Sequence, residues 1–150
     1  MVRSVSSAFA QTEIIESTTV FASESRVVRF QDVDAARTIY FPRVLEYFGD
    51  VYLALLTKAG LDVPGMLLRN EMAAPLAHAE ADFLGPLFFG DAVVVELVKA
   101  KLGRSSATFG HRIKKAGVVT STGTTVHIFV DGAFKPTDVP AGLRALIGSA

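Results

Sequence analysis

The sequence predicts an α+β domain in which one antiparallel sheet wraps around a single long, apolar helix. Over residues 43–58, apolar side chains recur with the period of about 3.6 residues that a helix requires. From residue 76 onwards, segments rich in Val, Thr, Phe and Ile are separated by glycine-containing turns, which is typical of long antiparallel strands. Because the helix lies between one early strand and these later strands, we expect all helices to pack on one face of the sheet.

The individual elements follow from local signals in the sequence. Polar and apolar residues alternate in residues 24–30, which predicts the first strand, and residues 31–37 break that pattern as a loop. Pro42 suits the first turn of the helix because its φ is already fixed near the helical value, and Gly60 is suited to cap the end. Four long strands and a short C-terminal helix are then predicted, over residues 76–84, 92–101, 105–114, 118–130 and 141–147.

Length and composition limit the classes of protein to which the chain can belong. Its 150 residues fit one domain, and 50% hydrophobic with 20% charged residues is not the composition of a disordered chain. Lys+Arg and Asp+Glu both number 15, so no net charge favours nucleic acid or an anionic membrane. The absence of cysteine excludes disulfides, thiolate metal sites and a cysteine nucleophile. A mean hydropathy of +0.39 indicates apolar surface buried between subunits.

The start of the chain lacks the features of a targeting segment. No apolar run near the start has the roughly 7–15 residues of a signal-peptide core, and none in the chain reaches the roughly 20 residues of a membrane helix. We therefore expect a flexible tail over residues 1–20, a single domain over residues 21–150, and a cytoplasmic location without membrane association.

Two carboxylates, Asp32 and Asp34, lie in the loop before the long helix and allow two interpretations. Asp is favoured in turns and at helix caps, so both can be structural. Alternatively, a carboxylate here faces the free N–H groups and partial positive charge of the helix N-terminus near Phe41. With a carbonyl between them, the N–H groups would polarise the carbonyl while the carboxylate attacks it or activates water, which is acyl-transfer chemistry.

Other kinds of chemistry find less support in the sequence. His78, His111 and His127 have no metal-ligand spacing, so we expect structural histidines and no metal ion. Neither a G-x-S-x-G nucleophile motif nor a phosphate-binding glycine loop occurs. Lys101 and Arg104 belong to a basic cluster around a turn, which either protects an edge strand and aids solubility or contacts phosphate.

Two segments of the chain resemble a known family. Residues 29–42, RFQDVDAARTIYFP, resemble the first motif of the 4-hydroxybenzoyl-CoA thioesterase family, whose members have the hotdog fold. Residues 77–91, AHAEADFLGPLFFGD, resemble its second motif, especially as it occurs in members that act on 1,4-dihydroxy-2-naphthoyl-CoA. The resemblance extends over about residues 22–131. It implies a hotdog domain that hydrolyses an aryl- or hydroxyaryl-CoA thioester to the free acid and CoA.

The resemblance also implies roles for individual residues. The family's catalytic carboxylate falls on Asp34, as nucleophile or general base, and the backbone N–H that holds the thioester carbonyl falls on Phe41. The resemblance places Tyr40 in the acyl pocket and His78 near the site of the facing subunit, and it places Lys101, Arg104 and Ser105 at the CoA phosphates and pantetheine. Phe48 makes the surroundings of the acid pair apolar and Arg37 adds a cation beside Asp34, so we expect these two residues to bind the substrate as well. CoA is then part of the substrate, and no separate cofactor is expected.

Arg37 is the main departure from the family pattern, because relatives usually have glycine at this position. A glycine there permits a positive φ or a close approach, whereas arginine places a cation near Asp34. Two rival functions therefore stay open: a thioesterase that acts on acyl carrier protein thioesters, and a non-catalytic protein that binds acyl-CoA.

We expect self-association as a homodimer or as a dimer of dimers (a homotetramer), and no nucleic-acid partner.

Overall fold

A computed structural model describes residues 8–148 of the chain. In chain order the elements are helix α1 (Gln11–Glu16), strand β1 (Ala22–Val27), a 3-10 turn (Phe30–Asp32), helices α2 (Phe41–Lys58) and α3 (Val63–Leu68), strands β2 (Met72–Ala73), β3 (Leu76–Phe83), β4 (Ala92–Leu102), β5 (Ser106–Lys115), β6 (Val118–Ile128) and β7 (Val130–Asp131), and helix α4 (Ala141–Ile147). The long helix and the four long strands begin and end within two residues of their predicted positions.

One five-stranded sheet organises the domain. Its strand order is β1-β4-β5-β6-β3, and every neighbouring pair is antiparallel. Strands β2 and β7 form a separate two-stranded ladder. The edges of the main sheet are therefore β1 and β3, and each of these strands has a partner on only one side within the described residues.

Helix α2 lies against one face of the sheet, called the inner face below. Its buried side chains follow the helical period and are Val44, Tyr47, Phe48, Val51, Tyr52, Leu55 and Leu56. The sheet supplies Leu97, Phe109 and Ile113, all fully buried, to the same core. Gly123 is needed for this packing, since a Cβ there would lie 2.5 Å from the Phe48 ring. The predicted arrangement, an antiparallel sheet around one long apolar helix, is confirmed.

The opposite, outer face of the sheet carries helix α1, so the expectation that all helices pack on one face is wrong. The sequence predicts a flexible tail in this part of the chain. Ile14 of α1 is buried against the sheet. The guanidinium of Arg112 donates hydrogen bonds to three carbonyl oxygens at the end of α1, those of Ile14, Ile15 and Ser17, at 3.1, 2.9 and 3.0 Å. A helix of six residues is marginal on its own, so these contacts explain why α1 forms. Residues 1–7 of the expected tail lie outside the described part of the chain.

Two histidines lie in the core and are held there as neutral rings. His111 is fully buried, stacks on Phe48 with ring centroids 4.7 Å apart, and has its Nε2 2.9 Å from Oγ1 of Thr125. His127 stacks on Tyr52 at 4.0 Å. Burial lowers the pKa of His111 to about 3 and also lowers the pKa of His127, because an apolar core disfavours the charged ring.

We expect the protein to lose stability as the pH falls from 7 to 5. In the unfolded chain both rings regain an ordinary pKa near 6.5, so below that pH the unfolded state binds more protons than the folded state. Each histidine then lowers the free energy of unfolding by up to about 1.4 kcal/mol per pH unit. Urea unfolding at pH 7, 6 and 5 measures this slope. The His127→Gln variant should show a shallower slope, and identical slopes in the two proteins would contradict the assignment.

Candidate active site

The loop between β1 and α2 folds back on itself as a small hairpin. Val33 and Ile39 form an antiparallel bridge, and the backbone N–H of Asp34 donates to the carbonyl of Thr38 at 3.1 Å. The N–H of Arg37 closes the tip by donating to the carbonyl of Asp34 at 2.9 Å. The N–H of Ile39 donates to Leu87 at 2.8 Å, which fastens the hairpin to the segment after β3. The tip is therefore a defined turn.

Asp34 lies at the tip of this hairpin with its side chain exposed. Its Oδ1 accepts a hydrogen bond from the backbone N–H of Ala36 at 2.8 Å, which is the geometry of an Asx turn. Within residues 8–148, this is the one hydrogen bond that its carboxylate makes. An exposed carboxylate in a fixed turn is able to act as a nucleophile or a base.

The N-terminus of α2 follows directly. Tyr40 is the N-cap and makes no side-chain capping bond, and Pro42 stands in the first turn without an N–H. None of the described residues accepts a hydrogen bond from the backbone N–H of Phe41. This free N–H, at the positive end of an 18-residue helix, is available to a carbonyl oxygen or an oxyanion.

Asp32, two residues before Asp34, has the opposite environment. It is completely buried and accepts hydrogen bonds from the guanidinium of Arg29 at 3.1 and 3.2 Å and from the Tyr47 hydroxyl at 2.7 Å. Burial disfavours its ionised form, but these hydrogen bonds outweigh burial and lower the pKa of Asp32 to about 2. The two interpretations of the acid pair thus divide between the two residues: Asp32 is structural, and Asp34 is accessible for chemistry.

The backbone of Arg37 adopts the left-handed conformation that glycine takes most easily. Its φ is +69°, in the left-handed region, and its side chain is exposed. The turn is therefore kept although arginine replaces the glycine that the family resemblance leads one to expect. A left-handed conformation strains any residue with a Cβ.

We expect Arg37→Gly to stabilise the protein, by up to about 1 kcal/mol, because it removes this strain. Ala35→Gly is the matched control in the same hairpin, and its φ is not positive. It should destabilise by about 0.4–1 kcal/mol, because glycine only adds freedom to the unfolded chain. Thermal unfolding of both variants tests the assignment, and a loss of stability in Arg37→Gly would contradict it.

An apolar cleft opens beside the Phe41 N–H. It has a volume of about 390 Å³ and is lined by Thr38, Ile39, Phe41, Phe83, Leu84, Gly85 and Pro86. The Phe41 ring is 61% exposed, and the Tyr40 ring packs against it at 5.3 Å. Sequence reasoning did not name Phe83 and Leu84 as site residues, although two adjacent large apolar residues at the end of the strand predicted over 76–84 were a usable signal.

Two of the expected substrate-binding residues lie elsewhere. Phe48 is fully buried on the core-facing side of α2 and packs on His111. It therefore belongs to the core and has no surface to offer a ligand. His78 is half-buried on β3 with its Nε2 3.3 Å from Oε2 of Glu80. Side chains two apart on a strand share a face, and Glu80 borders α1, so His78 lies on the outer face.

The expected CoA-binding residues are far from Asp34 within one chain. Just before β4, Gly90 donates a hydrogen bond to Val28, which precedes the Asp34 loop, so β4 begins on the side of that loop. Lys101 lies near the other end of β4, about 30 Å along the strand at roughly 3.3 Å per residue. Arg104 forms an ion pair with Asp138 at 2.8 Å beyond the end of the strand, next to Ser105. One chain therefore does not bring the two predicted halves of the site together.

A second apolar cleft, of about 320 Å³, lies at the C-terminal half of α2. Its lining contains no charged side chain and comes from α2, α3, β2 and the loops around them, including Leu53, Leu56, Met66, Ala74, Pro75 and Phe134. Within residues 8–148, no helix has both the length and the apolarity to span a bilayer, and no three acidic or histidine side chains are placed to bind a metal.

Comparison with known proteins places the chain in a family. Residues 28–147 match the model of the thioesterase-like superfamily, and the chain belongs to that superfamily. It is 32% identical over 109 residues to a 1,4-dihydroxy-2-naphthoyl-CoA hydrolase of Nostoc punctiforme, covering 73% of this chain and 74% of that protein. A hydrolase of the same name from Synechococcus elongatus is 30% identical over 107 residues, covering 71% and 79%.

Solved structures of thioesterases share the fold. A 1,4-dihydroxy-2-naphthoyl-CoA thioesterase from Synechocystis superposes with a TM-score of 0.77 at 23% identity, over 84% of this chain and 94% of that one. A gentisyl-coenzyme A thioesterase superposes with a TM-score of 0.75 at 23% identity, over 84% and 99%. The hotdog fold implied by the two sequence motifs is confirmed.

Proposed function

We propose that the protein is an acyl-CoA thioesterase that hydrolyses an aryl- or hydroxyaryl-CoA thioester to the free acid and CoA. The observation that carries this proposal is that the hairpin with the exposed carboxylate of Asp34 leads directly into α2, whose first residue, Phe41, has a free N–H. Membership of the thioesterase-like superfamily supports it, as do relatives named for hydroxyaryl-CoA substrates.

In the proposed reaction, the substrate's thioester carbonyl accepts a hydrogen bond from the Phe41 N–H. The helix N-terminus stabilises the negative charge that develops on this oxygen. The carboxylate of Asp34 either attacks the carbonyl carbon or removes a proton from a water molecule that attacks it. The C–S bond breaks and CoA leaves as the thiolate. If Asp34 attacks, the product of this step is an acyl anhydride on Asp34, and water then hydrolyses it to the free acid and restores the carboxylate. If Asp34 acts as a base, the acid is released directly, and Asp34 passes the proton it has taken to the thiolate or to solvent.

The cleft beside Phe41, together with the Tyr40 ring, accepts the aromatic acyl group. Arg37 lies in the same hairpin as Asp34, and its cation attracts an acidic substituent on that group.

Asp34→Asn should lower kcat by about 100-fold or more, since it removes the nucleophile or base. Release of free thiol from a panel of CoA esters measures this: benzoyl, hydroxybenzoyl, dihydroxynaphthoyl, phenylacetyl, short-chain and long-chain. Asp50→Asn is the matched control, because Asp50 is an exposed carboxylate on α2 that pairs with Arg26 of β1. It should turn over substrate as the parent does. Turnover of Asp34→Asn within a few-fold of the parent would contradict the proposal. A parent protein that turns over no CoA ester, but does turn over an acyl carrier protein thioester, would favour the carrier-protein alternative.

We propose further that the working unit is a homodimer paired through β3. This edge strand has unpaired N–H and C=O groups, and Leu76 and Phe83 near its ends are half exposed. Antiparallel pairing with a second copy sets the Pro75 end of one β3 against the Leu84 end of the other. The charge-free cleft of one chain then lies next to the Asp34 hairpin of its partner, so both would enclose the acyl group. A neighbouring subunit would also have to supply Lys101, Arg104 and Ser105 to CoA.

Mixing two impaired variants, assayed at a substrate concentration near the KM of the parent, tests this composite site. Leu53→Lys puts a charge into the charge-free cleft and should raise KM at least ten-fold, by the cost of placing a cation in an apolar pocket. Leu68→Lys, at an 88% exposed position outside the cleft, should behave as the parent. Co-expression of Asp34→Asn with Leu53→Lys should restore turnover, because each heterodimer then holds one intact site. Failure to restore activity in a verified heterodimer would place both groups in a single-chain site.

A further inference from the structure

We propose that Asp32 is a positioning residue for the proposed reaction, one that fixes the Asp34 turn relative to the N-terminus of α2. This inference rests on the proposed function, because it assigns Asp32 an effect that acts through Asp34. Asp32 is completely buried and cannot itself reach a substrate.

Asp32 connects the two parts of the site through its backbone and its side chain. Its carbonyl oxygen accepts a hydrogen bond of 2.7 Å from the N–H of Tyr40, the residue before Phe41. Its carboxylate accepts one of 2.7 Å from the hydroxyl of Tyr47, on the buried face of α2. The same carboxylate accepts one of 2.9 Å from the backbone N–H of Arg29 at the start of the loop. Asp32 thus holds three parts of the chain together: the start of the loop at Arg29, the N-cap Tyr40, and the body of α2 at Tyr47.

Asp34 has no comparable connection to the helix. The hydrogen bonds that involve it within residues 8–148 run to Ala36, Arg37 and Thr38, all in its own turn. Asp34 therefore moves with the hairpin as a unit. Its distance from the Phe41 N–H is set where the hairpin meets α2, and Asp32 occupies that junction together with the bond from Ile39 to Leu87.

The charge of Asp32 also matters to the site. The guanidinium groups of Arg29 and Arg43 both face it, at 3.1 and 3.6 Å, and Arg43 in addition pairs with Glu46 at 2.7 Å. Without the Asp32 carboxylate, the cation of Arg29 would lie at the base of the hairpin with no anion against it. An unneutralised cation there would attract Asp34 and draw its carboxylate away from the reacting carbonyl.

Tyr47→Phe tests the positioning role with the smallest change. It removes one O–H donor to Asp32 and keeps the ring under the Arg26 guanidinium, which lies 3.7 Å from the ring centroid. We expect kcat to fall about 10- to 100-fold, the usual effect of a displacement of about 1 Å at a reacting group, with KM within two-fold of the parent. Asp32→Asn should have the same effect. Asp50→Asn, which breaks an ion pair between α2 and Arg26 of β1, should leave both kcat and KM unchanged.

A double-mutant cycle separates positioning from a general loss of structure. If Tyr47 and Asp32 act through Asp34, Tyr47→Phe causes no further loss when Asp34→Asn is already present. An equal loss in both backgrounds, or an unchanged kcat in Tyr47→Phe, would overturn the inference. The proposed function fails separately, when Asp34→Asn itself retains turnover. Circular dichroism and thermal unfolding of each variant verify that the fold is kept.

Discussion

Burial of the apolar stripe of α2 against the inner face of the sheet is the interaction on which the rest of the structure depends. The stripe begins at Val44, one turn after the helix starts, so the first turn is left outside the core. This is why Phe41 has an exposed ring and a free N–H at the end of a helix that is otherwise held rigidly. Packing and the proposed chemistry therefore use different turns of the same helix.

The two carboxylates of the hairpin show how environment divides the work of identical side chains. Asp32 is ionised because hydrogen-bond donors surround it, and in that state it joins a loop to a helix. Asp34 is exposed, and its hydrogen bonds to the described residues stay within its own turn, which leaves it accessible to a ligand. A proposed nucleophile or base that is accessible needs its geometry set by a neighbour that is not. The buried residue of the pair supplies that geometry.

Local patterns predicted α2 and the four long strands, because their periodicity is carried by residues close together in sequence. Helix α1 could not be predicted in this way, since it is held by Arg112, which is 98 positions from Ile14. The burial of Phe48, in contrast, could be predicted from the sequence, because Phe48 follows Val44 by one helical turn in the apolar stripe of α2. The expected CoA-binding residues were chosen by likeness to relatives, and likeness of sequence does not say which subunit a residue serves.

The attachment of α1 by one arginine has a consequence for how the molecule opens. Three carbonyl oxygens at the end of this helix depend on a single guanidinium, which Glu96 holds in place at 2.6 Å. The helix is thus a separate cooperative unit, and it can detach without exposing the core beneath α2. We therefore expect the amide protons of α1 to exchange as one group and well before those of strands β4 to β6, at a free energy set by the contacts of Arg112 and Ile14 and not by global unfolding.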